Sequence, residues 1–197
     1  MLPKAYLNQT MLSGRFGNLN TLGTLKLCGN NINQPPKAAL GPFCGLQHLH
    51  LWQNQLTQLK KYAFRQLNIV SNLDLSGNKI NSINYFLMLS AHFGNLNTLG
   101  TLKLCGNNIT QPPKAALGPL RALQHLHLCQ NQLTQLKKDA FGQLNIVSNL
   151  DLSGNKINNI SYSAFEGLPQ LVNIDLSFNN LTWVPPGAFL GILFNIH

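Results

Sequence analysis

Leu22–Ile32 reads LGTLKLCGNNI, and Leu46–Leu56 reads LQHLHLWQNQL. One template, L-x-x-L-x-L-x-x-N-x-L, describes both, and it returns at Val70, Leu99, Leu123, Val147 and Leu171. The fourth-position residues are Leu25, Leu49, Leu73, Leu102, Leu126, Leu150 and Ile174, spaced by 24 residues except for 29 between Leu73 and Leu102. Inside each copy the x-L-x-L-x stretch alternates, as a strand with one buried face does. Units of this size cannot bury their apolar face alone and must stack on their neighbours. The spacing therefore predicts one α/β solenoid over residues 1–197, about seven repeats in a right-handed curved coil. Its parallel sheet lines the concave side, and irregular or short helical segments line the convex side.

The ninth position of the template is Asn in every copy: Asn30, Asn54, Asn78, Asn107, Asn131, Asn155 and Asn179. It stands where the chain turns off the strand, so its carboxamide can satisfy backbone groups that the turn leaves unpaired. A buried orphan costs about 1–3 kcal/mol, which makes a structural Asn ladder the expected role. Further along, Phe64, Phe141, Phe165 and Phe189 recur in A-F pairs and predict an aromatic spine, with Leu40 and Leu117 in the two copies that lack Phe. Pro35-Pro36 and Pro112-Pro113 remove backbone donors and disfavour a preceding helix, leaving room for at most a helical turn near A-A-L. The 29-residue step contains an apolar insertion, Phe86-Leu87-Met88-Leu89.

The chain has 197 residues, a net charge of +9 and only 10% charged residues, so Asn, Gln, Ser and Thr supply much of the polar surface. A basic balance favours acidic partners and says nothing of fold. Cys28, Cys44, Cys105 and Cys129 lack the close spacing of a zinc ribbon or a dense disulfide framework. No apolar run reaches the length of a membrane helix, so no membrane insertion is expected of this chain. MLPKAYLNQTMLSGRF lacks the apolar core of a signal peptide. Leu12, Phe16 and Leu19 resemble the back half of another repeat, and Gly191–His197 begins one, without complete caps. N-x-S/T sequons stand at Asn8, Asn108, Asn159 and Asn180 and lean toward an extracellular setting.

Outward positions of stacked strands form columns. The third position runs Thr24, His48, Asn72, Thr101, His125, Asn149, Asn173. The fifth runs Lys26, His50, Asp74, Lys103, His127, Asp151, Asp175. The seventh runs Cys28, Trp52, Ser76, Cys105, Cys129, Ser153, Ser177. Neighbouring strands lie about 4.8 Å apart, so column neighbours touch. His127, Asp151 and Ser153 have the composition of a hydrolase triad, but a smooth sheet offers no sharply presented nucleophile and no oxyanion donors. No enzyme activity and no cofactor are expected. Cys105, His127 and Cys129 could meet zinc, yet Trp52 replaces the third member in the first copy, and no metal site is assigned. Free thiols are the expected state of Cys105 and Cys129, since a disulfide needs a closer approach than a flat sheet provides. His48, His50 and Trp52 share one strand face beside Asp74 and Lys26. An exposed Trp among hydrogen-bonding groups suits an interface anchor. Lys37, Lys60-Lys61, Lys114 and Lys137-Lys138 fall after the strands. They provide only a weak footprint for nucleic acid or another acidic polymer, with no interleaved aromatics.

The extended form L-x-x-L-x-L-x-x-N-x-L-x-x-L-x-x-x-A-F-x-x-L is clearest in LDLSGNKINNISYSAFEGL (Leu150–Leu168) and IDLSFNNLTWVPPGAFLGI (Ile174–Ile192). It resembles the typical class of leucine-rich repeats found in Toll-like receptor ectodomains, variable lymphocyte receptors and leucine-rich serum glycoproteins. The resemblance implies a cell-surface or extracellular recognition module of innate-immune type, binding a protein ligand on its concave face or flank. On that reading His48, His50, Trp52, Asp74, His125, His127, Asp151 and Asp175 are the candidate contacts, and the chain is a fragment of a receptor or secreted binding protein. The other reading is a structural or adhesive repeat protein without a discrete site. Residues 16–83 and 93–160 differ at only eight of 68 aligned positions, the mark of a recent duplication. His48/His50 and His125/His127 are thus one observation copied. Trp52 against Cys129, and Phe43-Cys44-Gly45 against Leu120-Arg121-Ala122, mark where the copies diverge.

Overall fold

The computed structural model describes residues 21–36, 40, 43–59, 63–64, 67–81 and 96–192. The Asn8 sequon, Leu12, Phe16, Leu19, the insertion at 86–89, Lys37 and Lys60-Lys61 lie outside the described residues. Seven three-residue strands, one per template copy, form a single parallel sheet. They are β1 (Thr24–Lys26), β2 (His48–His50), β3 (Asn72–Asp74), β4 (Thr101–Lys103), β5 (His125–His127), β7 (Asn149–Asp151) and β9 (Asn173–Asp175). A second parallel pair, β6 (Gln135–Leu136) with β8 (Asn159–Ile160), stands further along two adjacent coils.

The chain is a solenoid with its parallel sheet on the concave side and little helix. Register follows the template at every step: Thr24, His48, Asn72, Thr101, His125, Asn149 and Asn173 face one another in turn. The longer step leaves this intact, since Asp74 pairs with Lys103 and the Leu75 and Gly77 N–H groups donate across it at 2.9 and 2.8 Å.

The alternation seen in sequence is the alternation of burial. Leu49, Leu73, Leu102 and Leu126 are fully buried, as are Leu51, Leu75, Leu104 and Leu128, while the residues between them stay partly open. Burying each such leucine contributes about 1.5–3 kcal/mol, repeated along a column rather than gathered in a ball. On the convex side Phe165 stacks between Phe141 and Phe189, with centroids 6.2 and 5.2 Å apart. Leu40 and Leu117 are buried in the copies without Phe. Following Pro112-Pro113, the chain makes one helical turn, α1 (Lys114–Leu117), as the prolines allow.

Each coil leaves the sheet through an eighth position held in the left-handed region. Gly29, Gly77, Gly106 and Gly154 have φ of 62–68° there, and Gln53, Gln130 and Phe178 have φ of 53–55°. Glycine accepts this conformation without penalty, so four of the seven copies use it. The Asn that follows closes the turn. In Asn131 the amide Nδ2 donates to the carbonyls of Leu104, Leu128 and Cys129 at 2.9, 3.0 and 3.1 Å, and Oδ1 accepts from Ile109 N–H at 3.0 Å. Asn54, Asn78, Asn107 and Asn155 are buried and bonded in the same way. Asn179 repeats the pattern half-buried, and Asn30 at the first described coil bonds the Leu27 and Cys28 carbonyls.

Candidate functional site: the outward face of the concave sheet

Because strand N–H and C=O groups are used in pairing, only side chains can recognise anything on this face. Pairing continues past the strands: the Leu51, Leu104, Leu128 and Leu152 N–H groups donate to the Asp74, His127, Asp151 and Asp175 carbonyls, each at 2.8 Å. The structure places His48, His50 and Trp52 on β2 and its exit, with Asp74 across from His50 and Lys26 on the other side. It places His125 and His127 on β5, between Thr101 and Lys103 of β4 and Asn149 and Asp151 of β7. Asp175 is the exposed terminus of the fifth-position column. Trp52 is half-buried rather than exposed, because its strand neighbours on both sides flank it. The bare tryptophan is Trp183, 67% exposed on the last described coil with Phe178 and Val172. Its position after the turn gives no periodic signal by which sequence could have singled it out.

The aspartates are partly committed to their own turns. Asp74, Asp151 and Asp175 each accept through Oδ1 from the N–H two residues on, at 3.0, 3.1 and 2.8 Å. This is the Asx-type local bond that favours aspartate where a strand ends. For Asp175 the Ser177 hydroxyl, then the Ser177 N–H, hold the carboxyl below the usual range. Asp151 Oδ2 stands 3.5 Å from His127 Nδ1, an ion pair when the imidazole is protonated. Asn149 Nδ2 and His125 Nδ1 share a hydrogen bond of 2.9 Å, and Asn149 Oδ1 accepts from Asn173 Nδ2 at 2.7 Å.

This geometry is not that of a nucleophile and base. Ser153 Oγ donates to Asp151 at 2.7 Å, so the acid sits between serine and histidine instead of behind the histidine. The Ser153 and Gly154 N–H groups, the donors nearest the serine, already donate to Asp151 and to the Ser177 carbonyl. The zinc constellation also fails. Cys105 and Cys129 are joined as a disulfide, with Cα atoms 4.5 Å apart. The expectation of free thiols is corrected here: at this position the spacing of adjacent coils, 4.5 Å between Cα atoms, already lies within the range of about 4.4–6.8 Å that a disulfide spans. Among the described residues the one cluster of metal-ligating types is Cys105, Cys129 and Asp151, and disulfide sulfurs are not thiolate ligands.

Cys28 and Trp52 occupy the corresponding places in the first copy. Their backbones repeat the local pairing, with Gly29 N–H to Trp52 O at 3.0 Å against Gly106 N–H to Cys129 O at 2.9 Å. Trp52→Cys is therefore expected to create a second disulfide, to Cys28. A single titratable thiol, that of Cys44, in place of the parent's two (Cys28 and Cys44), with the new cross-link mapped by peptide mass, checks it.

Burial is the largest influence on His50 and lowers its pKa from 6.5; Asp74 raises it, and Lys26, His48 and Lys103 lower it further. The unfolded chain then holds the proton more tightly than the folded one. Stability is unaffected above 6.5 and falls as the pH drops below it, until folded His50 protonates as well. His50→Gln is expected to flatten the acid limb of a Tm profile recorded from pH 7 down to about pH 5.

Comparison with known proteins follows the same lines. The family model for leucine rich repeats matches residues 44–91, 121–181 and 147–192, more than half of the chain. No curated protein matches the sequence. Among solved structures, the chain is similar to the crystal structure of a TLR13–ssRNA13 complex at 26% identity and a TM-score of 0.73, covering 85% of this chain. It spans 23% of the length of that protein. Among the described residues no helix is long and apolar enough to cross a membrane.

Proposed function

Since the chain belongs to the leucine rich repeat family, we propose that it is a non-enzymatic recognition module, part of an extracellular receptor or secreted binding protein, whose concave sheet takes a protein ligand. The observation that carries this reading is the unbroken seven-strand face, on which backbone groups are paired and aromatic, imidazole and carboxylate side chains point outward. The contacts assigned are His48, His50, Trp52, Asp74, His125, His127, Asp151 and Asp175. Trp52 is the anchor, because a half-buried tryptophan flanked by polar groups loses little freedom on binding and excludes water from its neighbours. The disulfide between Cys105 and Cys129 supports an oxidising compartment, where such bonds persist.

A second reading takes its support from the complex of the similar structure with single-stranded RNA. Lys26, Lys103 and the four histidines would then meet phosphates, with Asp74, Asp151 and Asp175 opposing. Salt separates the two readings: the logarithm of an affinity for single-stranded RNA falls with the logarithm of salt concentration by about 0.7 per phosphate neutralised, whereas a protein held at Trp52 responds weakly. On the protein reading, Trp52→Ala and His50→Ala should each weaken a purified partner by about tenfold or more, with Glu166→Ala unchanged. Unchanged affinity in both concave variants removes the concave site.

A further inference from the structure

We propose that this chain carries N-linked oligosaccharides on Asn108, Asn159 and Asn180, all on the segment by which each coil leaves the sheet, so that glycans border the concave face without covering it. The three carboxamides are unlike those of the Asn ladder. Each belongs to an exposed residue and has no hydrogen-bond partner among the described residues, whereas Asn107 and Asn155, in the same two coils as Asn108 and Asn159, are buried and fully bonded. A glycan there displaces nothing. Asn108 and Asn180 hold the same place in their coils, directly after the ladder residue, and their N–H groups donate to the Ile80 and Ile157 carbonyls, both at 2.9 Å. The backbone is thereby fixed while the side chain is left outside. Thr110 and Thr182, the hydroxyl residues of these two sequons, are also exposed.

The duplication supplies a second, independent observation. Among the eight positions that differ between residues 16–83 and 93–160, two bear on sequons. Asn33 corresponds to Thr110, which turns the unacceptable N-I-N of Asn31 into the N-I-T of Asn108. Ser82 corresponds to Asn159, which heads N-I-S. A third difference, Trp52 to Cys129, gives the disulfide. The second copy therefore carries, and the first lacks, features that have chemical meaning in an oxidising, glycosylating compartment. The strand asparagines Asn72, Asn149 and Asn173 are followed two residues on by Asp, never by Ser or Thr, so no acceptor lies on the concave face itself.

In the transfer, the carboxamide nitrogen of Asn attacks the anomeric carbon of an oligosaccharide carried on a polyprenyl diphosphate. The anomeric C–O bond breaks, the polyprenyl diphosphate leaves, one amide proton is lost and a C–N glycosidic bond forms. No oxidant or reductant is required.

The test is to secrete the full chain from animal cells behind a cleavable leader and treat it with peptide N-glycosidase. That enzyme converts a glycosylated asparagine to aspartate, which peptide mass spectrometry locates. Aspartate at 108, 159 and 180 is expected; asparagine retained at both 108 and 180 in secreted protein overturns the proposal. Exchanging the diverged residues gives opposite readouts in folded protein, because each replacement already exists in the other copy. Thr110→Asn should remove the glycan from Asn108, and Asn33→Thr should install one on Asn31, giving a faster and a slower band by electrophoresis. If neither variant moves its band while both are secreted as well as the parent, the proposal is wrong.

Discussion

Phe165→Ala is expected to destabilise the solenoid by about 3–5 kcal/mol, the largest effect of any single truncation considered. The ring is fully buried and lies between those of Phe141 and Phe189, nearly parallel to both. Its removal empties a space that the rings on either side cannot fill, because their own coils fix them. Phe165→Leu should cost under about 1.5 kcal/mol, since Leu40 and Leu117 already fill the corresponding place in other coils. Coils contact only their neighbours, so the loss should be local. Hydrogen exchange is expected to accelerate in the coils of Phe141, Phe165 and Phe189 and to remain slow around Leu49 and Leu73. Uniform acceleration along the chain, or Ala and Leu variants of equal stability, would falsify this account of the spine.

The second large effect is expected at Asn131. Two kinds of partner must be weighed. The Leu104 carbonyl accepts from Asn107 as well as from Asn131, and the Leu128 carbonyl accepts from Asn155 as well. Both keep a donor when Asn131 is lost. Ile109 N–H has Asn131 Oδ1 as its acceptor and is buried, so it becomes the orphan. Asn131→Ala should therefore cost about 2–4 kcal/mol, one buried donor plus the lost packing. Asn131→Asp should cost more at neutral pH, because a carboxylate keeps the bond to Ile109 but faces the carbonyls of Leu104, Leu128 and Cys129. Chemical denaturation at neutral and mildly acidic pH checks both. The Asp variant should recover part of its loss as its carboxyl protonates at low pH, and a pH-independent deficit contradicts the carbonyl geometry.

Much of this fold was legible in the chain because its determinants recur at fixed spacing. The pairs Leu49/Leu51 and Leu102/Leu104 announce a strand with one buried face, and the Asn after each pair announces the turn. Register across the 29-residue step was legible for the same reason, since Leu73 and Leu102 sit at the same template position. The disulfide was not. Periodicity sets Cys105 beside Cys129, but whether their sulfurs turn toward one another is a matter of side-chain rotamers, which periodicity does not carry. The degree to which Trp52 is covered by its neighbours was equally hidden. So was the use of Asp74, Asp151 and Asp175 in their own turns, since an outward position states which side a residue faces and not what it bonds. Trp183 and Phe178 escaped notice because the template marks which positions turn inward and does not say how far the others are left bare.

The claim that the concave sheet is the recognition face is tested most directly by placing a photo-reactive amino acid at a single position of the secreted chain and irradiating it in extracellular fluid. Two positions suffice: 50, on the face of β2, and 166, an exposed residue on the convex side after Phe165. A discrete protein adduct at position 50, absent at 166 and lost when Trp52→Ala is added, is the predicted result. An adduct at 166 with none at 50, or adducts at both that ignore Trp52→Ala, contradicts it.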